Sequence, residues 1–221
     1  MTPEEQETIS TLALRRAQQQ LLGKRQRLVW AVAFAQEPLS QLSPGRLYDL
    51  RLEFTAFLAW AGGRPFVGQS NEVALPSVEE LDAAQAGFSQ IIACVVKGED
   101  ILVGHYAVTL TLRAKNGRAR LSEDLDRKEV TVPEQARYGL ARVLGELDRA
   151  LMEEGYHGPI IKACPAPKVR GADAEPCGRW FVGRPNQVYC SSQCQNRAAT
   201  RATRARAQAV APETKRGRRK R

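Results

Sequence analysis

The chain has 221 residues, 43% of them apolar, and a formal net charge of +9 at neutral pH. That length suits one medium domain with a smaller module appended, and the apolar share is enough for a core in the larger part. The charge is not spread evenly: from Asn196 onward ten basic residues face the single acid Glu213, which leaves residues 1–195 neutral and points to a polyanion partner, nucleic acid first. The start, "MTPEEQETIS", is acidic and polar, and no stretch approaches the ~20 apolar residues of a membrane span. The expected setting is cytoplasmic, where thiols stay reduced and clustered cysteines favour metal over disulfides.

Residues 3–36 predict a helix. Pro3 suits a first turn, Glu4, Glu5 and Glu7 complement the helix dipole, and Leu14, Leu21 and Leu28 recur every seven residues before the apolar run "LVWAVAFA". A second helix follows "SPG", with Leu47, Leu50, Phe54, Phe57 and Leu58 in rhythm until Gly62-Gly63. A third starts after Pro76, where Ser77 is placed to cap and Glu80 to reciprocate. The period then changes: Tyr106, Val108, Leu110 and Leu112 alternate with Ala107, Thr109, Thr111 and Arg113, and Asn116-Gly117 signals a hairpin. Val130-Thr131-Val132 reads as a further short strand, and Pro133 as the opening of a helix that Gly155 stops. Residues 1–155 are thus expected to form a helix-rich α+β domain with a small antiparallel β-hairpin sheet.

From Gly158 the apolar period is lost in "ACPAPKVRGADAEPCG", so the rest of the chain needs another source of stability. Four of the five cysteines lie there, Cys164, Cys177, Cys190 and Cys194, with twelve, twelve and three residues between them. Trp180-Phe181-Val182 reads as a strand, Gly183–Asn186 as a turn and Gln187-Val188-Tyr189 as the returning strand, setting Cys177 and Cys190 at the open ends of one hairpin. Ser191 or Ser192 can cap a helix, which brings Cys190 and Cys194 to one side at i, i+4. Four thiolates complete the tetrahedron of one Zn²⁺ and leave no position for water, so the expected cofactor is one structural zinc ion. Cys94, inside the apolar run Ile91–Val96, reads as a plain core residue. The two histidines, His105 and His157, are far apart in sequence, and nothing makes a case for an enzyme.

"CGRWF…VYCSSQCQNRAATRATRAR" resembles the C-terminal zinc finger called CGNR, found in bacterial proteins taken to be transcription regulators that often carry an N-terminal α+β domain called ABATE. The resemblance covers about residues 160–207; Gln195 stands at the glycine of the name motif, and the spacer from Cys164 to Cys177 is longer than the family's usual one. For residues 1–155 it extends only to the layout of elements.

The helix continued from Ser192 carries Arg197, Arg201 and Arg204 at i, i+4, i+7, with Asn196 beside that stripe and Arg206 on the far side. Arginine and asparagine at such positions suit base edges in a major groove, and the distal cations suit phosphates. Arg197, three residues past Cys194, can equally reach back to neutralise the thiolates, and both roles stay open. The expected organisation is a domain over residues 1–155, a zinc finger over 160–207 and a disordered basic tail over 208–221. The expected function is zinc-dependent binding of double-stranded DNA in transcription regulation, with no membrane partner. The first domain would serve a small-molecule effector or a homodimer. RNA binding, or a zinc-capped protein-interaction module, is the alternative.

Overall fold

The first helical stretch is two helices: α1 spans Pro3–Gln20 and α2 spans Lys24–Phe34. Gly23 breaks the run by taking an extended conformation (φ −84°, ψ 141°), and its N–H donates to Gln26 Oε1 at 2.8 Å. Arg27 then closes the end of α1, donating from Nε to the Leu21 carbonyl and from Nη2 to the Leu22 carbonyl, each at 2.6 Å. Those carbonyls lie in the turn just past Gln20, outside any helix ladder, so a charged donor there relieves a desolvation cost. The same guanidinium lies 3.7 Å from the centre of the Trp60 ring, a cation–π contact. Burial pulls Arg27 down to about 10 against the raising influence of Glu146, so it stays charged at neutral pH.

The structure, a computed structural model, describes residues 3–61, 75–106, 108–115, 118–125, 131–169, 175–184 and 186–210. The chain divides into two units, Met1–Ile161 and Lys162–Arg221. In the first unit a short 3-10 turn, Leu39–Gln41, leads to α3 (Pro44–Ala61) and α4 (Val78–Lys97). Strands β1 (Ile101–Tyr106), β2 (Val108–Lys115) and β3 (Arg118–Leu125) follow, then α5 (Val132–Glu153). The sheet has the order β1-β2-β3, antiparallel throughout. α5 packs on α2, α3 and α4 and also on β1 and β3, which joins the helices to the sheet.

The caps explain the boundaries. Ser77 Oγ accepts from Glu80 N at 3.1 Å while Ser77 N donates to Glu80 Oε2 at 2.7 Å, the reciprocal pair the sequence implied. Gly98 ends α4 at φ +76°, a left-handed conformation that favours glycine. Thr131 makes the same box with Glu134 and so begins α5 as its cap. Thr131 and Val132 are therefore not strand residues, because the capping box prevails over a β-branched triplet; Val130 lies outside the described residues. Asn116-Gly117, Gly62-Gly63 and residues 211–221 also lie outside them, though Lys115 pairs with Arg118 across the first of these. Strand β1 is an addition to the expected hairpin.

The core of this unit is aromatic. Phe34, Phe54, Phe57 and Phe88 are fully buried, and Trp30 stacks on Phe34 (5.3 Å between centroids) and on Phe57 (5.1 Å). Phe88 of α4 meets Phe34, Phe57 and Trp30 at steep angles, which suits the quadrupoles of the rings. Trp30 keeps its polar edge satisfied by donating from Nε1 to Glu53 Oε2 at 2.8 Å, and Arg46 bridges Glu53 and Glu37. Gln85 and Ser89 of α4 donate to the Phe34, Glu37 and Ala35 carbonyls, so α4 also closes the end of α2. Cys94, expected in the core, is half-buried on α4. Replacing Phe88 with alanine removes the ring that touches three others; it is expected to cost about 3–5 kcal/mol in urea unfolding of this unit and to leave bound metal per chain unchanged.

Candidate metal centre

Between Cys164 and Cys177 the described residues, 165–169 and 175–176, are not a loose spacer. Strand β4 (Ile161–Ala163) pairs with β5 (Trp180–Val182) in a two-stranded antiparallel sheet. Beyond it the two chains stay together. Cys164 N donates to the Arg179 carbonyl (3.0 Å), Cys177 N to the Ala166 carbonyl (2.6 Å) and Lys168 N to the Glu175 carbonyl (2.7 Å), with a bridge between Pro167 and Pro176. These bonds make an arm of residues 164–168 and 175–179 whose base carries both cysteines. Gly178 N donates back to the Cys164 carbonyl at 3.1 Å with Gly178 at φ +66°. A Cβ there would meet only the Pro176 carbonyl oxygen, at 3.9 Å, so the glycine serves the backbone turn and not a lack of room.

Gln187-Val188-Tyr189 is not a returning strand. Gln187 N donates to the Arg184 carbonyl at 3.0 Å, closing a turn, and its side-chain amide donates to the Tyr189 carbonyl at 3.1 Å. Lys162 of β4 donates from Nζ to the Arg184 and Gln187 carbonyls, each at 3.0 Å, and so braces the turn. Side chains took the backbone groups a strand would have used, and the partner of β5 is β4. Lys162 and Gln187 were not singled out in the sequence; a long polar side chain that satisfies distant carbonyls leaves no periodic signal.

The last element, α6, runs from Ser192 to Val210, three residues past the expected end of the finger. Ser191 is its cap: Oγ accepts from Cys194 N at 3.3 Å and the carbonyl accepts from Gln195 N at 3.1 Å. Cys190 therefore stands just before the helix and Cys194 in its first turn.

The four sulfurs converge. Four thiolates at ~2.3 Å from one zinc ion stand about 3.8 Å from each other. Here Cys190 and Cys194 are 3.5 Å apart, Cys177 and Cys190 are 4.0 Å apart, and all four sulfurs lie within 4.8 Å of one another. Cys164 and Cys194 are buried, Cys177 and Cys190 half-buried, and only small or partly buried groups (Ala166, Phe181, Tyr189, Ala198) pack around them. Cys190 N–H points at Cys164 Sγ, 3.5 Å away. Cys164, the ligand the family spacing supported least, is 1% exposed and inside the cluster. The donors and spacing fit one metal ion held in a closed shell.

Arg197 faces this centre. Its Nη2 donates to Cys194 Sγ at 3.0 Å and its Nη1 to the Lys168 carbonyl of the arm. Four thiolates around Zn²⁺ leave a net charge of about −2, which a guanidinium on a ligand sulfur offsets. Cys194 is held down to about 6, first by the Ser191 hydroxyl, then by Cys190 and Arg197, whereas burial pushes Cys190 up to about 12. The remaining basic candidates, Arg201, Arg204 and Arg206, are exposed on α6, as is Asn196. Asn196 and Ala199 also accept from the Thr200 and Thr203 hydroxyls through their carbonyls, at 2.8 and 3.1 Å.

The class this defines is a small four-cysteine zinc finger in which a strand pair supplies two ligands and a helix start the other two. Residues 161–207 match the family model of the CGNR zinc finger. No curated protein and no solved structure matches the chain.

One zinc ion per chain is the expected content of freshly purified, reduced protein. In the cobalt-substituted protein, Cys164→Ser should weaken the sulfur-to-metal charge-transfer bands toward three-sulfur intensity; an unchanged spectrum would remove Cys164 from the ligand set. Gly178→Ala forces a side chain into a left-handed backbone costing about 1–2 kcal/mol, so a chelator competition should show zinc held roughly tenfold less tightly.

Proposed function

We propose that the C-terminal unit is a zinc-dependent DNA-binding module and that the chain is a transcription regulator. One observation carries the reading: a helix fixed at its first turn by the cysteine cluster presents Arg201, Arg204 and Arg206 to solvent, on the section of chain that holds the entire net charge of +9. An α-helix of that width enters the major groove of a duplex, where arginine can read guanine and a nearby asparagine, here Asn196, adenine. The cations beyond residue 210 add phosphate contacts without base information. Catalysis has no part in this reading, because a closed four-thiolate shell leaves no position for a substrate or water.

The N-terminal unit, whose layout resembles an ABATE domain, is then the part that answers a small-molecule effector or joins two copies. No described helix is long and apolar enough to cross a membrane, in keeping with a cytoplasmic regulator. Filter binding to duplex DNA, duplex RNA and a polyanion control over a salt series tests the proposal. Duplex DNA should be preferred, and Arg201→Glu with Arg204→Glu should abolish that preference without changing zinc content. Preference for duplex RNA, or equal retention of all three polyanions, would overturn it.

A further inference from the structure

Position on α6 decides which side of the finger a duplex can use. Arg197, Ala198, Arg201 and Arg204 stand three, four, seven and ten residues after Cys194, so all five share one face of the helix. In the first turns that face looks into the finger: Cys194 is in the metal cluster and Ala198 packs against it. Arg201 and Arg204 continue the same stripe and are exposed. They stand about 6 and about 10.5 Å further along the axis than Arg197 at 1.5 Å per residue.

Arg197 ties the arm to this face. Its guanidinium holds the Lys168 carbonyl with one nitrogen and Cys194 Sγ with another. The arm therefore flanks the stripe at its metal-proximal end, and the Lys168 side chain, which is exposed, is free of the tie because only the backbone carbonyl is used. Glu175 sits opposite Lys168 in the arm's ladder and is exposed too; directly opposed residues of an antiparallel pair point to the same side. The arm so presents the Lys168 cation and the Glu175 carboxylate beside the line of arginines, and a second exposed cation, Arg179, at its base.

We propose that the arm and the Arg201–Arg204 stripe are two walls of one seat for the sugar-phosphate backbone of duplex DNA, and that Arg197 is a positioning residue that joins the walls. This rests on the reading of the module as DNA-binding and adds to it the inserted arm as a contact element. Lys168 contributes a phosphate contact. Glu175 next to it repels a backbone that sits out of place, since like charge across an interface disfavours wrong alignments. Arg197 makes no phosphate contact, since Nη1 is directed at the Lys168 carbonyl, Nη2 at the Cys194 sulfur, and Nε is buried.

The test uses the full-length, zinc-saturated protein and a mixed-sequence DNA duplex, with binding measured over a salt series. Removing one phosphate-binding cation lowers the log–log salt slope by about 0.9. Lys168→Ala should lower the slope by that amount, and Glu175→Gln should tighten binding; these opposite signs on one arm are what a structural disturbance does not produce. Arg197→Lys and Arg197→Ala should leave the slope contribution of Arg201 and Arg204 intact, while Lys168→Ala made in the Arg197→Ala background should have no further effect. If Lys168→Ala and Glu175→Gln are both silent while Arg201→Ala with Arg204→Ala weakens binding, the arm is not a wall and only the helix reading survives. If the arginine pair is silent as well, the DNA-binding reading itself falls. Slopes lowered additively in the Arg197→Ala, Lys168→Ala double variant, by about 1.8 in all, would make Arg197 a phosphate contact in its own right and overturn its positioning role.

Discussion

Convergence of four cysteine sulfurs within 4.8 Å is the constraint on which the C-terminal unit depends. That unit has almost no apolar interior: the fully buried residues at its centre are Cys164, Ala166 and Cys194. Burial of so few carbon atoms cannot offset about 1–2 kcal/mol of backbone entropy per ordered residue. Metal ligation on the order of 10 kcal/mol or more can. The strand pair, the arm, the turn braced by Lys162 and the helix start each deliver a ligand or hold one in place, and none has another large source of stability.

The N-terminal unit rests on a different footing. Its interlocked rings from α2, α3 and α4 supply the burial that the finger lacks, and polar side chains finish the helix ends inside that packing. Arg27 shows how the two kinds of interaction combine, with its charged fork on the carbonyls just past α1 and its flat face on Trp60. A module governed by metal and a module governed by hydrophobic packing thus occupy one chain, and they respond to different reagents. A chelator acts on the first and urea acts on both.

The features that could be read from the sequence were those written in local chemistry. Ser77 with Glu80, the apolar rhythm of α3 and α4, and the cysteine spacing with its serine cap each state their geometry within a few residues. The features that could not be read depend on partners far along the chain. The start of β1, Ile101–Gly104, did not read as a strand because Leu102, exposed between the buried Ile101 and Val103, is as apolar as they are and hides the alternation. Val188, similarly apolar and 54% exposed, made a loop look like a strand. The break at Gly23 was invisible because the heptad of leucines runs straight through it, and only the reach of Arg27 to Leu21 and Leu22 shows why the chain stops there. At the metal centre the four ligands were legible, whereas the arm that brings Cys164 to them was not, since prolines and charges carry no period.

Among the described residues none past Ala198 on α6 belongs to the finger's buried cluster, and residues 201–207 are all exposed. A free peptide of that length would be mostly unwound, because starting a helix carries a statistical weight of ~10⁻³. Ligation of Cys190 and Cys194 around the Ser191 cap supplies that first turn ready-made. What remains is propagation through alanine and arginine, which add turns at little cost. The metal therefore acts at a distance as a helix nucleus, and the length of ordered helix that reaches a partner is set by temperature and by occupancy of a site at its far end.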